Sequence, residues 1–173
     1  LSSFFSITSV NFTNTTTFLL SGIPQTYDIL QIRIRSRRTV ANFANLNLSL
    51  NNSGIGDHMR NYWLSTSGQT SVTNSTQTNA NTFALASQAA GFGLDIFGRT
   101  IIEIPNYTTT SQNKTVMIQS GLVQNTSTGD NKVLLGIGLY TSSSAITSIM
   151  FSLGDSNNFS TDSRVDVYGI KGS

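Results

Sequence analysis

The 173-residue sequence contains no cysteine, which excludes a disulfide frame and a thiolate metal site. It has one histidine, His58, so a histidine-based triad or an imidazole metal pair would rest on that single side chain. Only two prolines occur, Pro24 and Pro105, and Asp, Glu, Lys and Arg together make up 10% of the chain. No apolar run approaches the ~20 residues that a helix needs to cross a bilayer, and nothing near Leu1 has the basic and apolar regions of a signal peptide.

Polar, uncharged residues fill the space that charge leaves. There are 25 Ser, 23 Thr, 17 Asn and 14 Gly, with few Lys or Glu, a composition suited to strands joined by polar turns and poor in helix formers. Period-two alternation agrees. Over Tyr27 to Arg37, Leu30, Ile32 and Ile34 fall on one side and Gln31, Arg33, Arg35 and Arg37 on the other, and Leu46, Leu48 and Leu50 repeat the pattern against Asn45, Asn47 and Ser49. Further runs at residues 59–64, 92–97, 99–104, 114–120, 132–140, 145–153 and 163–170, with weaker ones at 4–10 and 16–20, predict roughly 8 to 11 strands. Sheets of this size close by packing face to face, so the expected fold is all-β, a jelly-roll-like antiparallel β-sandwich formed by one domain over residues 1–173. Residues 1–26 read as an N-terminal arm or edge strands, and residues 65–81, almost without apolar side chains, as a long polar loop.

Charge is concentrated in one place. Four of the ten Lys/Arg residues are Arg33, Arg35, Arg37 and Arg38; the remainder carries six positive against eight negative residues. A nearly neutral body with one basic spot is unlike a nucleic-acid binder, which spreads Lys and Arg over a face with aromatics among them. Arg33, Arg35 and Arg37 are expected to form a ladder that Arg38 extends into the turn, either as a docking edge for carboxylates on a neighbouring subunit, as a solvated strand face, or as a site for an acidic glycan or nucleic acid.

Catalytic and metal-binding patterns are weak. His58 lacks a nucleophile-elbow context. Asp95 and Glu103 could be paired as glycosidase carboxylates, yet Glu103 alternates with Ile102 and Ile104 as the wet face of a strand, which accounts for it without chemistry. Asp155, Asp162 and Asp166 do not keep calcium-loop spacing, and Asp166 alternates out of its strand, opposite an Arg. Tyr62 and Trp63 could offer a sugar platform, but adjacent strand residues face opposite ways, which gives one of them to the core. The reading is of a non-enzymatic protein without catalytic residues, metal or cofactor.

The C-terminal third, AITSIMFSLGDSNNFSTDSRVDVYGIKG, resembles the ending of a group of tailed-phage virion proteins common in marine and cyanobacterial phages. The residues that carry the likeness are Ala145 to Ile149, Asn158 and Phe159, Ser163, and Tyr168 to Lys171. Upstream, YDILQIRIRSRR resembles the group's early Tyr-to-Arg strand with its Arg-rich turn, and IIEIPNYTTTSQNKTV its Tyr-ended strand, Thr/Asn loop and Lys-Thr strand. The likeness runs from about Tyr27 to Gly172 and is weaker over residues 55–90. It implies a jelly-roll-like module on the exterior of a phage particle, usually trimeric, serving as a capsid decoration or cement protein bound to the major capsid protein or other virion proteins. The alternative it carries is a receptor-binding or tail-fibre module that recognises a host surface glycan. No membrane partner is expected.

Overall fold

The computed structural model describes residues 3–12, 14–40, 45–51, 59–67, 71–80, 83–86, 97–122, 132–154 and 157–172. Twelve strands occur among them: β1 (Ser3–Asn11), β2 (Thr17–Ser21), β3 (Ile29–Ser36), β4 (Asn45–Leu50), β5 (Met59–Ser67), β6 (Ser71–Ala80), β7 (Phe83–Ala86), β8 (Gly98–Pro105), β9 (Lys114–Leu122), β10 (Lys132–Tyr140), β11 (Ser148–Leu153) and β12 (Arg164–Lys171). All pair antiparallel, in one sheet ordered β1-β12-β3-β8-β9-β10-β5-β6 and another ordered β2-β11-β4-β7.

The order identifies the topology. The first four strands in the order of the larger sheet and the four of the smaller make two sets of four, and the chain crosses between sheets from β1 to β2, β2 to β3, β3 to β4, β4 to β5, β6 to β7, β7 to β8, β10 to β11 and β11 to β12. That is the eight-strand double Greek key of a jelly roll. Two hairpins, β5–β6 and β9–β10, are inserted and widen the larger sheet beyond β8. Among the described residues the larger sheet thus has eight strands and the smaller four. β1 and β2 are edge strands, one in each sheet.

Residues 65–81 depart from the expected polar loop. β5 runs through to Ser67, and β6 occupies Ser71–Ala80 as its hairpin partner. Thr and Ser tolerate the extended backbone well, and backbone ladder bonds do not require apolar side chains, so apolar content was the wrong indicator there. The expected run at residues 92–97 lies outside the described residues except for Phe97, which is not in a strand.

The core confirms the alternation. Leu30, Ile32 and Ile34 of β3 and Leu46, Leu48 and Leu50 of β4 are all buried, and they join Ile102, Ile104, Val116, Ile118, Val165 and Val167 of the larger sheet and Phe18, Ile149, Phe151 and Leu153 of the smaller in one cluster. Each such side chain taken from water contributes about 1.5–3 kcal/mol before the entropy of ordering it is subtracted. One end of the sandwich is sealed by aromatics: Phe12 stacks on Phe159 at 4.5 Å and meets Phe18 edge-on at 5.6 Å. Backbone bonds from Phe12 to Ser163, from Phe159 to Thr15 and from Ser160 to Arg37 stitch three separate chain segments together there.

Three polar anchors position the connections. Asn51, in a left-handed conformation (φ 56°), donates to the Ala145 carbonyl and accepts from the backbone N–H groups of Thr147 and Ser148, which fixes the entry to β11. Lys114 is fully buried, and its Nζ donates to the carbonyls of Ser142, Ser143 and Ser144 at 3.5, 2.6 and 2.7 Å. Burial lowers its pKa below the usual lysine value, while three converging carbonyl dipoles favour the ammonium. Tyr107, also buried, donates its hydroxyl to the Pro24 carbonyl.

The two ends of the sequence meet at a glycine. A Cβ on Gly169 would lie 2.1 Å from the Tyr27 ring, so the ring covers a site where only hydrogen fits, and the other side of Tyr27 stacks on Phe5 at 5.4 Å. Gly169→Ala is expected to cost about 1–3 kcal/mol through displacement of Tyr27, read as a lower urea midpoint, and the same change in a Tyr27→Ala background should cost much less. Lys114→Met leaves three carbonyls without their donor and should destabilise the fold by about 3 kcal/mol in the same measurement. Burial raises the Tyr107 phenol above its usual 10.0. The unfolded chain therefore ionises first on going alkaline, and this contribution, complete below pH 10, is lost as pH rises through the folded-state value. Urea titrations of wild type and Tyr107→Phe from neutral to alkaline pH should show the wild type losing more stability above pH 10.

Candidate functional site

The outward face of the larger sheet is the part of the molecule that its own core does not use. On β3 it presents Gln31, Arg33 and Arg35, registered against Tyr168, Asp166 and Arg164 of β12 on one side and Glu103, Ile101 and Arg99 of β8 on the other. Strict alternation places all nine on one face.

Polar contacts organise the end nearest β12. Asp166 accepts from Ser9 and pairs with Arg164 at 2.9 Å. Gln31 is buried, donating to Glu103 Oε1 at 2.6 Å and accepting from Arg33 Nε at 2.8 Å. Glu103 is thus held in a hydrogen-bonded chain on the sheet face. Arg33 also lies over the Tyr168 ring, 5.0 Å from its centroid, and 5.9 Å from that of Phe4, while Arg35 sits 4.0 Å from the Phe97 centroid. Aromatic faces thereby fix both guanidinium groups in place.

Arg38 does not extend this ladder as expected. Arg38 is 3% exposed, and its backbone bridges to Phe159. Parity explains it: residues 30, 32, 34, 36 and 38 are the inward positions, and the chain keeps nearly extended past Ser36 instead of turning. Arg37 is half-buried; its backbone is gripped by the Ser163 hydroxyl, and its guanidinium lies 5.8 Å from Phe97. The four-arginine cluster therefore divides into two exposed residues, Arg33 and Arg35, and two drawn into the fold.

The same face turns apolar toward β10. Ile101 of β8, Met117 of β9 and Val133, Leu135 and Ile137 of β10 are 40–57% exposed. Val133, Leu135 and Ile137 stand at alternate positions along one strand, with Met117 directly opposite Ile137 and Ile101 opposite Gln119, itself opposite Leu135. On the other side of β10 the register sets Leu64 opposite Leu135 and Tyr62 opposite Ile137. A contiguous strip of this kind reaches the scale of roughly a few hundred Å² at which exposed apolar surface on a domain marks an interaction site. The alternation of KVLLGIGLY carried this signal, since Leu134 is core and the residues flanking it had to point out.

Of the catalytic candidates, His58 and Asp95 lie outside the described residues, as does Asp155 of the aspartate group, and no group of three His, Asp or Glu side chains fit for a metal occurs among the described residues. For Tyr62 and Trp63 the structure gives adjacent positions on β5, registered with Ile137 and Gly136. Comparisons with protein-family models, with curated proteins and with solved structures find no significant match to this chain.

Proposed function

We propose that this chain is a non-enzymatic structural protein of a tailed-phage virion, a capsid decoration protein of the cement type that stabilises the head through symmetric contacts as a trimer. The observation that carries the reading is the half-exposed apolar strip of Ile101, Met117, Val133, Leu135 and Ile137 on adjacent strands of one sheet face. Such a strip, bordered by Arg33, Arg35 and Arg99, has the apolar centre and charged rim of a protein–protein interface. The sequence resemblance of residues 145–171 to phage virion proteins supplies the setting. A cysteine-free sandwich also suits a particle exposed to an oxidising exterior, where stability comes from packing and repeated symmetric contacts.

A second reading, a tail-fibre module that binds host surface glycan on the same fold, draws on the arginine end of the face and not on the strip. The two are separated by changing the strip alone. The double variant Leu135→Asp, Ile137→Asp should still fold, since both side chains face water in the single chain, with an unfolding midpoint that no longer rises with protein concentration as it does for a self-associating wild type. It should sediment as a monomer where the wild type is trimeric, and phage carrying it should lose copies of the protein and release DNA at a lower temperature. Full incorporation of the variant with unchanged particle stability would overturn the cement reading.

A further inference from the structure

We propose that the cavity between Arg33 and Arg35 on the outward face of the larger sheet binds a carboxylate-bearing sugar, a uronic acid unit of an acidic polysaccharide. The cavity exists because the two arginines of β3 lean apart, Arg33 toward Tyr168 and Phe4 and Arg35 toward Phe97. The opening left over the sheet is about 370 Å³ and is lined by Arg33, Arg35, Arg99, Ile101, Asp166 and Tyr168. That lies within the range of roughly 300–1,000 Å³ typical of small-molecule sites.

Its charge is unbalanced. Three guanidinium groups face one carboxylate, Asp166, which Arg164 and Ser9 already engage. Among the described residues, Arg33, Arg35 and Arg99 form no ion pair. Arginines held in place by aromatic rings and a glutamine have little rotamer freedom left to lose when they grip an anion, and a planar carboxylate matches the guanidinium fork.

The rest of the lining selects among anions. A bare phosphate would gain nothing from Asp166 and would be repelled by it, whereas sugar hydroxyls can donate to that carboxylate and to the Tyr168 oxygen. Ile101 offers an apolar wall for the C–H face of a pyranose ring. A neutral sugar leaves the three arginines without purpose. A peptide added as a strand needs free backbone groups, yet the cavity floor is the interior of a sheet in which β12, β3 and β8 are already paired on both sides. Recognition there must come from side chains alone, as it does for saccharides. The site adjoins the docking strip at Ile101, which belongs to both, while Leu135 and Ile137 lie outside the cavity lining.

Calorimetric titration of the purified full chain with oligogalacturonate, with the same oligomer methyl-esterified, and with oligoglutamate of equal charge tests the assignment at physiological ionic strength. Saturable binding is expected for oligogalacturonate, weaker by about tenfold or more for the ester and for oligoglutamate, with a similar loss in Arg33→Gln and in Arg35→Gln, as removal of a charge-assisted pair implies. Should either variant lower the unfolding midpoint, Arg99→Glu, at an exposed position, removes one guanidinium and adds a repelling charge with the same expected loss. The Leu135→Asp, Ile137→Asp variant should bind as the wild type does. Absence of saturable binding to oligogalacturonate, equal binding of the ester or of oligoglutamate, or full affinity in the arginine variants would overturn the proposal.

Discussion

The fold rests on one layer of apolar side chains shared by two sheets. Neither sheet can leave its inner face in water, and a jelly roll answers this by sending the chain back and forth between sheets, so that each crossing adds a strand to both sides of the same core. Because strand side chains alternate, every residue that faces this layer forces its neighbours outward. The position of Arg33 and Arg35 on the outer face is thus a consequence of Ile32 and Ile34 being inside, as is that of Leu135 and Ile137 beside the buried Leu134.

Polar groups decide how the edges and connections of this layer are held. Lys114, Asn51 and Ser163 each bind backbone groups of distant segments with side chains that are wholly or largely removed from water. Since a buried polar group without partners is costly, these contacts specify connections that apolar packing alone would leave free to slide. The Lys114 and Asn51 contacts hold the connection between β10 and β11 in one arrangement.

The outward face of the larger sheet carries two kinds of surface side by side. At one end, apolar side chains cover β8 to β10; at the other, arginines fixed by aromatic rings surround a cavity above β12, β3 and β8. The inserted β9–β10 hairpin is what makes room for both, because it widens the sheet past the eight-strand jelly roll.

The alternation of residues 27–37 and 45–50, the scarcity of Lys and Glu and the turn-rich composition determined the all-β class and most of the core, because burial on one face of a strand imprints a period of two on the sequence. That same period, continued two further steps past Ile34 through Ser36, places Arg38 inside. The polar β6 escaped because its strand is specified by pairing with β5, which leaves no apolar trace. Tertiary structure alone decided that Tyr27 covers Gly169, that Lys114 closes over the Ser142–Ser144 carbonyls, and that Arg33 and Arg35 lean apart. Each of these joins residues distant in the chain, or turns on a rotamer set by a ring on another segment, and a linear pattern reports which side a residue faces but not what it meets there.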